Sequence, residues 1–324
     1  MKITNLIDIR QTPEYAQYMQ QNGWQIQITY KKGIIPIEAK DLLVNKSNAI
    51  LYTKKIPLTP FSVTKALRYH PKHIKNINKP RGCLIYKDEP FKIQFQNNTN
   101  ALNKNTQHPS QTIYYDKNPK NTWPVTPTKT IWINLKSPLE LIKQELKQKT
   151  RYNLKQATTK INLKITTTPA DTINQQQIDN FYQIWAHNKP YNWLFKPSKK
   201  SLISLIKSFQ TKAFLIEAST HSNPKTSVAS ALILTSPNMS FYWHNASTDL
   251  GKQHYAPTLV VWEAIKQSKK RKLSVFDFEG VWDQRYPNLN QGWKGFTQFK
   301  QGFIKKNVKD RASGYSLIRK KSSV

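Results

Sequence analysis

Residues 213 to 280 constrain the fold more than any other part of this chain. "AFLIEA", "SVASALILT" and "MSFYWHNAS" are three apolar runs of strand length, and Ser236-Pro237-Asn238 supplies a turn between the last two. They read as neighbouring antiparallel strands. "PTLVVWEAIKQSKK" follows with helical periodicity and Pro257 at its start, and "LSVFDFEG" is a further strand that stops at Gly280. Strands followed by a helix and another strand imply an α+β domain.

Upstream the same alternation recurs. In "TPEYAQYMQQNGW" Thr12 is placed to cap a helix and Gly23 to end it. "WQIQITY", "AILYTKKIPL", "GCLIYK" and "FKIQF" read as strands, and residues 97–128, polar and rich in Asn, Thr, Lys and Pro, as a long surface loop. "TIWINL" alternates like a strand. Ser137, Pro138 and Glu140 then form a capping-box start for a helix expected to run to about Ala157. Two more helices carry apolar faces: Ile178, Phe181, Tyr182 and Trp185 on one, Leu202, Leu205, Ile206 and Phe209 on the other. The expected organisation is two α+β lobes, residues 1–150 and 151–303.

Composition narrows the function. Fifty-one basic against 18 acidic residues give a net charge of +33, which attracts phosphate polyanions or anionic lipid. Eight of the basic residues are arginine, and the excess of lysine is also what AT-rich coding produces. Cys83 alone cannot form an intramolecular disulfide, and with seven scattered histidines no zinc-type ligand set stands out. No apolar run reaches membrane-spanning length, and "MKITNLIDIR" lacks the apolar centre of a signal peptide. A cytoplasmic protein is expected.

Four of the nine glycines fall in "DFEGVWDQRYPNLNQGWKGFTQFKQGF", residues 277–303. This stretch completes a series of motifs. "PTKTIWINL" with "KQKTRYNLKQA" supplies Thr130, Lys149, Arg151 and Ala157; "ASTDLGKQHYAPTLVVWEAI" supplies an Ala-Ser turn, a proline and a helix; then come "FDFEG" and "GFTQFKQGF". In this order they resemble the FemABX family of peptidoglycan bridge-forming aminoacyltransferases, over residues 130–303 and more loosely over the first 80 or so.

The resemblance implies two lobes like N-acetyltransferases, each a mixed, mostly antiparallel sheet flanked by helices, with residues 304–324 returning to the first lobe. It implies transfer of an amino acid from aminoacyl-tRNA to the stem-peptide amine of a lipid-linked or UDP-linked peptidoglycan precursor. A monomer with no cofactor, working in the cytoplasm or peripherally at the inner face of the membrane, is expected. Lys300 takes the place of the family's Phe-Lys lysine, a candidate for holding the charged tRNA end and stabilising an oxyanion. Phe299 offers a flat face to the terminal adenine, and Lys305 is a further candidate on the donor side. As a cleft lysine, Lys300 is expected to contribute little to folding.

Asp277, by alternation on the face of Leu273 and Val275, is either a general base or a buried hydrogen-bond acceptor. Arg285, Tyr255 and Trp282 are acceptor-side candidates, although Arg285 can also pair with Asp283. In "EYAQYMQQ" no basic residue stands where relatives that use UDP-linked precursors carry one. Only two short helices fit between residues 172 and 210, so the compact FemX form is the better comparison. A coenzyme A-dependent N-acetyltransferase and a non-catalytic RNA-binding protein are the alternatives. Against the first, "LGKQHYAPTL" has one glycine where that fold carries a glycine-rich phosphate loop.

Overall fold

A computed structural model of the protein describes residues 6–30, 33–42, 48–70, 82–95, 110–115, 124–187 and 198–305. The three strands expected between 213 and 247 are β10 (Ala213–Ser219), β11 (Ser227–Thr235) and β12 (Met239–Ser247), antiparallel throughout. The turn between the last two closes through Ser236 N donating to Met239 O. Helix α7 (Ala256–Lys270) returns the chain to β13 (Val275–Asp277), which lies parallel to β12.

Around them an eight-stranded sheet forms in the order β6-β7-β8-β13-β12-β11-β10-β9, where β6 is Ile93–Phe95, β7 Ser110–Tyr115, β8 Lys129–Asn134 and β9 Lys164–Pro169. A second sheet has five strands, β2-β1-β3-β4-β5: β1 Gln25–Tyr30, β2 Gly33–Pro36, β3 Ile50–Lys55, β4 Ser62–Leu67 and β5 Cys83–Glu89. Each sheet has one parallel pair, β4 with β5 and β12 with β13. The architecture is thus the expected α+β pair of mixed, mostly antiparallel sheets flanked by helices. β6, β7 and β8 precede residue 150 in sequence and pair into the larger sheet.

Two apolar cores lie on the two faces of the larger sheet. Trp132, Leu215 and Leu232 point to one, together with α1 (Pro13–Gln21), α4 (Gln175–His187), α5 (Lys199–Phe209) and Ile26, Ile50 and Tyr52 of the smaller sheet. Ile131, Phe214, Ile216 and Phe276 point to the other, with α7, α3 (Gln148–Lys155) and Phe303. The expected faces of α4 and α5 are buried at Ile178, Phe181 and Trp185 and at Leu202, Leu205, Ile206 and Phe209, while Tyr182 is only partly buried. Each such side chain contributes roughly 1.5–3 kcal/mol on burial.

Three expectations are corrected. Part of the supposed surface loop, 110–115, is strand β7, whose Ile113, Tyr114 and Tyr115 are buried; its polar neighbours hid a short apolar run. Residues 97–109 and 116–123 lie outside the described residues, as do 306–324 of the expected C-terminal return. The single helix expected to run to Ala157 is two, α2 (Leu139–Gln144) and α3, and α3 continues into a π turn at 156–160. Pro138, not Ser137, is the capping residue, with no side-chain cap. The break frees Lys147 N to donate to Gly302 O at 2.8 Å, and the Arg151 guanidinium takes the carbonyls of Gln144 and Leu146. Tertiary bonds here outweigh the helical propensity of the sequence.

Candidate active site

β12 and β13 pair only across Met239–Phe241 and Val275–Asp277. Beyond Asp277 the chain leaves β12 and follows β8, where Phe278 N donates to Ile131 O and Val281 N to Lys129 O. β12 meanwhile runs on to Ser247. The strands therefore part at residues 278–281, in the middle of the sheet.

The backbone curls there. Glu279 (φ 52°) and Gly280 (φ 90°) are both left-handed, a region that costs a residue with a β-carbon. Gly280 also has no room for one, since an added Cβ would lie 2.8 Å from the Trp293 ring and 2.9 Å from Pro127. The curl turns successive carbonyls to one side. Lys300, at the end of α8 (Lys294–Lys300), points its Nζ into them and donates to Phe278 O at 2.6 Å, Gly280 O at 2.8 Å and Glu279 O at 3.4 Å. The Phe296 ring lies 4.9 Å from the same Nζ.

Lys300 is 5% exposed. The expectation of a cleft lysine with little part in folding is thereby corrected: its amine is the hydrogen-bond partner of a buried loop, and such groups are costly to orphan. Phe299 is half-buried, edge-on to Phe303 with 5.5 Å between centroids. Lys305 is exposed two residues beyond.

Asp277 sits at the base of the curl, 2% exposed. Its Oδ1 accepts from Thr130 Oγ1 at 2.5 Å and from Glu279 N at 2.8 Å, and its Oδ2 accepts from Trp132 Nε1 at 2.9 Å. Burial first, then the Glu279 carboxylate, push its carboxyl up to about 7. Three donors from the sheet and the loop support the acceptor reading of Asp277 over the base reading. Thr130, singled out by its motif, is one of them.

The acceptor-side candidates fall in two places. Arg285 and Trp282 are on the segment after the curl. Arg285 pairs with Asp283 (Nη2 to Oδ2, 2.8 Å), donates to Tyr115 O and Thr128 O, and lies 4.6 Å over the Tyr114 ring. That guanidinium fastens the segment to β7 and to the start of β8. Trp282 N donates to Thr297 Oγ1 at 2.7 Å, tying the segment to α8, while Lys294 Nζ lies 4.8 Å over its ring. Tyr255 stands apart, left-handed at φ 57° before α7, edge-on to the exposed Tyr152.

Sequence reasoning missed the groups opposite Lys300. Arg10 Nη2 donates to Glu279 Oε2 at 2.8 Å and Nη1 to Oε1 at 3.2 Å, while Nη1 also meets Asp8 Oδ1 at 3.0 Å. Asp8 and Arg10 are 3% and 6% exposed. Burial raises the Asp8 carboxyl against the pull of Arg10. Their one signal was a pair of opposite charges two residues apart within the apolar "LIDIR".

Residues 187–308 match the FemAB family. That span runs from the end of α4 through β10–β13, the curl and α8. Among solved structures the chain is similar to a crystal structure of FemX, with a TM-score of 0.65 at 12% identity, covering 91% of this chain and 89% of that one. L-PGS from Bacillus licheniformis gives a TM-score of 0.43 at 10% identity, covering 79% of this chain and 77% of that one. The C-terminal domain of a putative lysylphosphatidylglycerol synthetase from Agrobacterium fabrum gives 0.40 at 13%, covering 54% and 56%. No curated protein sequence matches the chain significantly. The FemABX resemblance carried by the motif series is thus met by the similarity of residues 187–308 to the FemAB family and by a fold similar to that of FemX across nearly the whole chain.

Proposed function

We propose that the protein is an aminoacyltransferase of the FemABX type, moving an amino acid from aminoacyl-tRNA to the stem-peptide amine of a peptidoglycan precursor. The observation that carries this reading is the FemAB match over residues 187–308, which contains both the curl at 278–280 and the "GFTQFKQGF" box. In the reaction the acceptor amine attacks the ester carbonyl carbon, a C–N bond forms, and the C–O bond to the ribose breaks. The amine proton ends on the departing ribose oxygen. Negative charge builds on the carbonyl oxygen between these events, and a preorganised donor lowers that barrier.

Lys300 is the donor this reading requires. Its ammonium has three N–H groups and three carbonyl partners, of which Glu279 O at 3.4 Å is the most weakly held. Redirecting that one N–H serves the oxyanion or the acyl-tRNA end without giving up the two short bonds. Lys305, with the lysine-rich surface, favours phosphate by charge. Among the described residues no helix is long and apolar enough to cross a membrane.

The test is direct. Purified protein is given tRNA charged with labelled amino acids and a lysine-containing stem peptide, with labelled acetyl-CoA in a parallel arm. Label passing from tRNA to the peptide amine is the expected result. Label passing from acetyl-CoA instead, or RNA bound with no transfer, would sink the proposal.

A further inference from the structure

Arg10 spans the gap where the two central strands part. Its guanidinium lies 5.0 Å over the Trp243 ring of β12, and its two nitrogens grip the Glu279 carboxylate on the diverging side. The segment behind it is anchored to the smaller sheet. Tyr52 donates its hydroxyl to Arg10 O at 2.5 Å, and the Gln11 side chain bonds Ile50 N, Ile50 O and Leu67 O. Asp8 fixes the fork by accepting from both Arg10 N and Nη1.

The loop is thus held from both faces of the larger sheet. Phe278 packs into the core beside Phe303, and Lys300 bonds the carbonyls from that side. Glu279 sends its side chain to the opposite face, where Ile9 and Trp132 are core residues. Glu279 is the non-glycine residue of the curl with a left-handed backbone, a conformation that a residue with a β-carbon does not favour. A two-point grip on its carboxylate fixes where its carbonyl, and those on either side, are aimed.

We propose that Arg10 is a positioning residue: bridging Asp8 and Glu279 across the parted strands, it holds the 278–280 carbonyls in the curl that seats Lys300. The consequence for catalysis rests on the transferase reading above, whereas the consequence for Lys300 itself does not. The test separates them. Full-length wild type, Arg10→Lys, Arg10→Met and Glu279→Gln, each checked for native circular dichroism, are pulsed with acetic anhydride, and acylation is read lysine by lysine by mass spectrometry.

Lys300 acylation reports opening of the curl, and loss of the grip should speed it by about tenfold in Arg10→Met. Arg10→Lys should fall between, since a point charge replaces one arm of the fork but not both. The exposed Lys305 should keep its wild-type rate. If Arg10→Met does not fold, Glu279→Gln decides, because it keeps the shape and removes the charge. Lys300 labelled at the wild-type rate in folded variants, or all lysines accelerated alike, would overturn the proposal. In steady-state transfer the variants should lose kcat with KM unchanged. A wild type inactive in transfer overturns the functional reading alone, because the labelling comparison still stands.

Discussion

Replacing Lys300 by methionine isolates the role of its amine. Methionine keeps most of the aliphatic stem, so little cavity is created, and only the contact of the ammonium with the Phe296 ring is lost besides its hydrogen bonds. What disappears is the donor to Phe278 O and Gly280 O, at 2.6 and 2.8 Å, and to the longer contact at Glu279 O. A buried carbonyl left without a partner costs roughly 1–3 kcal/mol. Two such groups place the loss at about 2–6 kcal/mol, a large share of the ~5–15 kcal/mol that stabilises a typical domain. The assay is urea unfolding followed by circular dichroism, with the midpoint falling at unchanged slope. Alanine is the poorer probe, since it adds a cavity term to the same loss. Lys300→Arg should recover only part, because a planar fork does not reproduce three donors converging from one atom. Under conditions where all three proteins remain folded, Lys300→Met should also lose ~10²–10³ in single-turnover transfer. A Lys300→Met protein within about 1 kcal/mol of wild type would show that the three carbonyls find other partners, and the account of the curl would be wrong.

Asp277 ties stability to pH. Its carboxyl is held near 7 in the fold by burial and by Glu279, above the ~3.9 of an exposed aspartate. Between those values the native state holds a proton that the unfolded chain has released, so its contribution falls as pH rises from about 4 to about 7. Asp277→Asn should remove that part of the slope, leaving the one from the raised Asp8; parallel wild-type and variant curves from urea melts across this window would refute it. Gly251→Ala places a Cβ 2.1 Å from Val228 O, a backbone atom that also receives Thr248 N, so a loss of ~1–3 kcal/mol and a lower Tm are expected. Gly302→Ala would put its Cβ 2.4 Å from Thr150 Oγ1; it should loosen the Lys147–Gly302 junction and expose the 147–151 amides to hydrogen exchange. Lys305→Ala should lower the salt dependence of charged-tRNA binding by about one phosphate contact, and shift that dependence more than turnover; binding measured from low to high salt checks this.

The elements most legible in the sequence were those whose periodicity and burial agree. α4, α5 and α7 each carry a stripe of large apolar residues, and β10 to β12 are strands whose turns contain Pro, Asn or Ser. β7 was hidden because its flanks are polar and only Ile113, Tyr114 and Tyr115 mark the core. The break between α2 and α3 was hidden for a different reason: it serves a bond to Gly302, more than 150 residues away. Local propensity holds no record of such a partner. In the candidate site the motif pointed to Lys300, and alternation placed Asp277 on an inward face. Neither pattern could say that the lysine is buried, because its partners are backbone carbonyls, which every sequence contains.

The same blindness applies to Arg10, and here the physics runs further. A buried arginine between two carboxylates is a weak means of stabilising a fold, because desolvation of the three charges consumes most of what their attraction returns. Well-packed apolar side chains would serve stability as well, yet the structure keeps all three where the parallel pair β12 and β13 opens in the middle of a sheet. What charge supplies there and apolar packing does not is direction. A guanidinium fork accepts a carboxylate in few orientations, so the backbone carrying Glu279 is fixed in rotation as well as in place. The amine on the far side of the sheet depends on that rotation, since its three bonds require three carbonyls aimed at one atom. Apolar replacement of Asp8, Arg10 and Glu279 together should therefore leave the global unfolding midpoint near that of wild type while Lys300 becomes open to acylation. A triple variant that melts like wild type and still shields Lys300 would show that Phe278 and Gly280 alone are enough to set the curl.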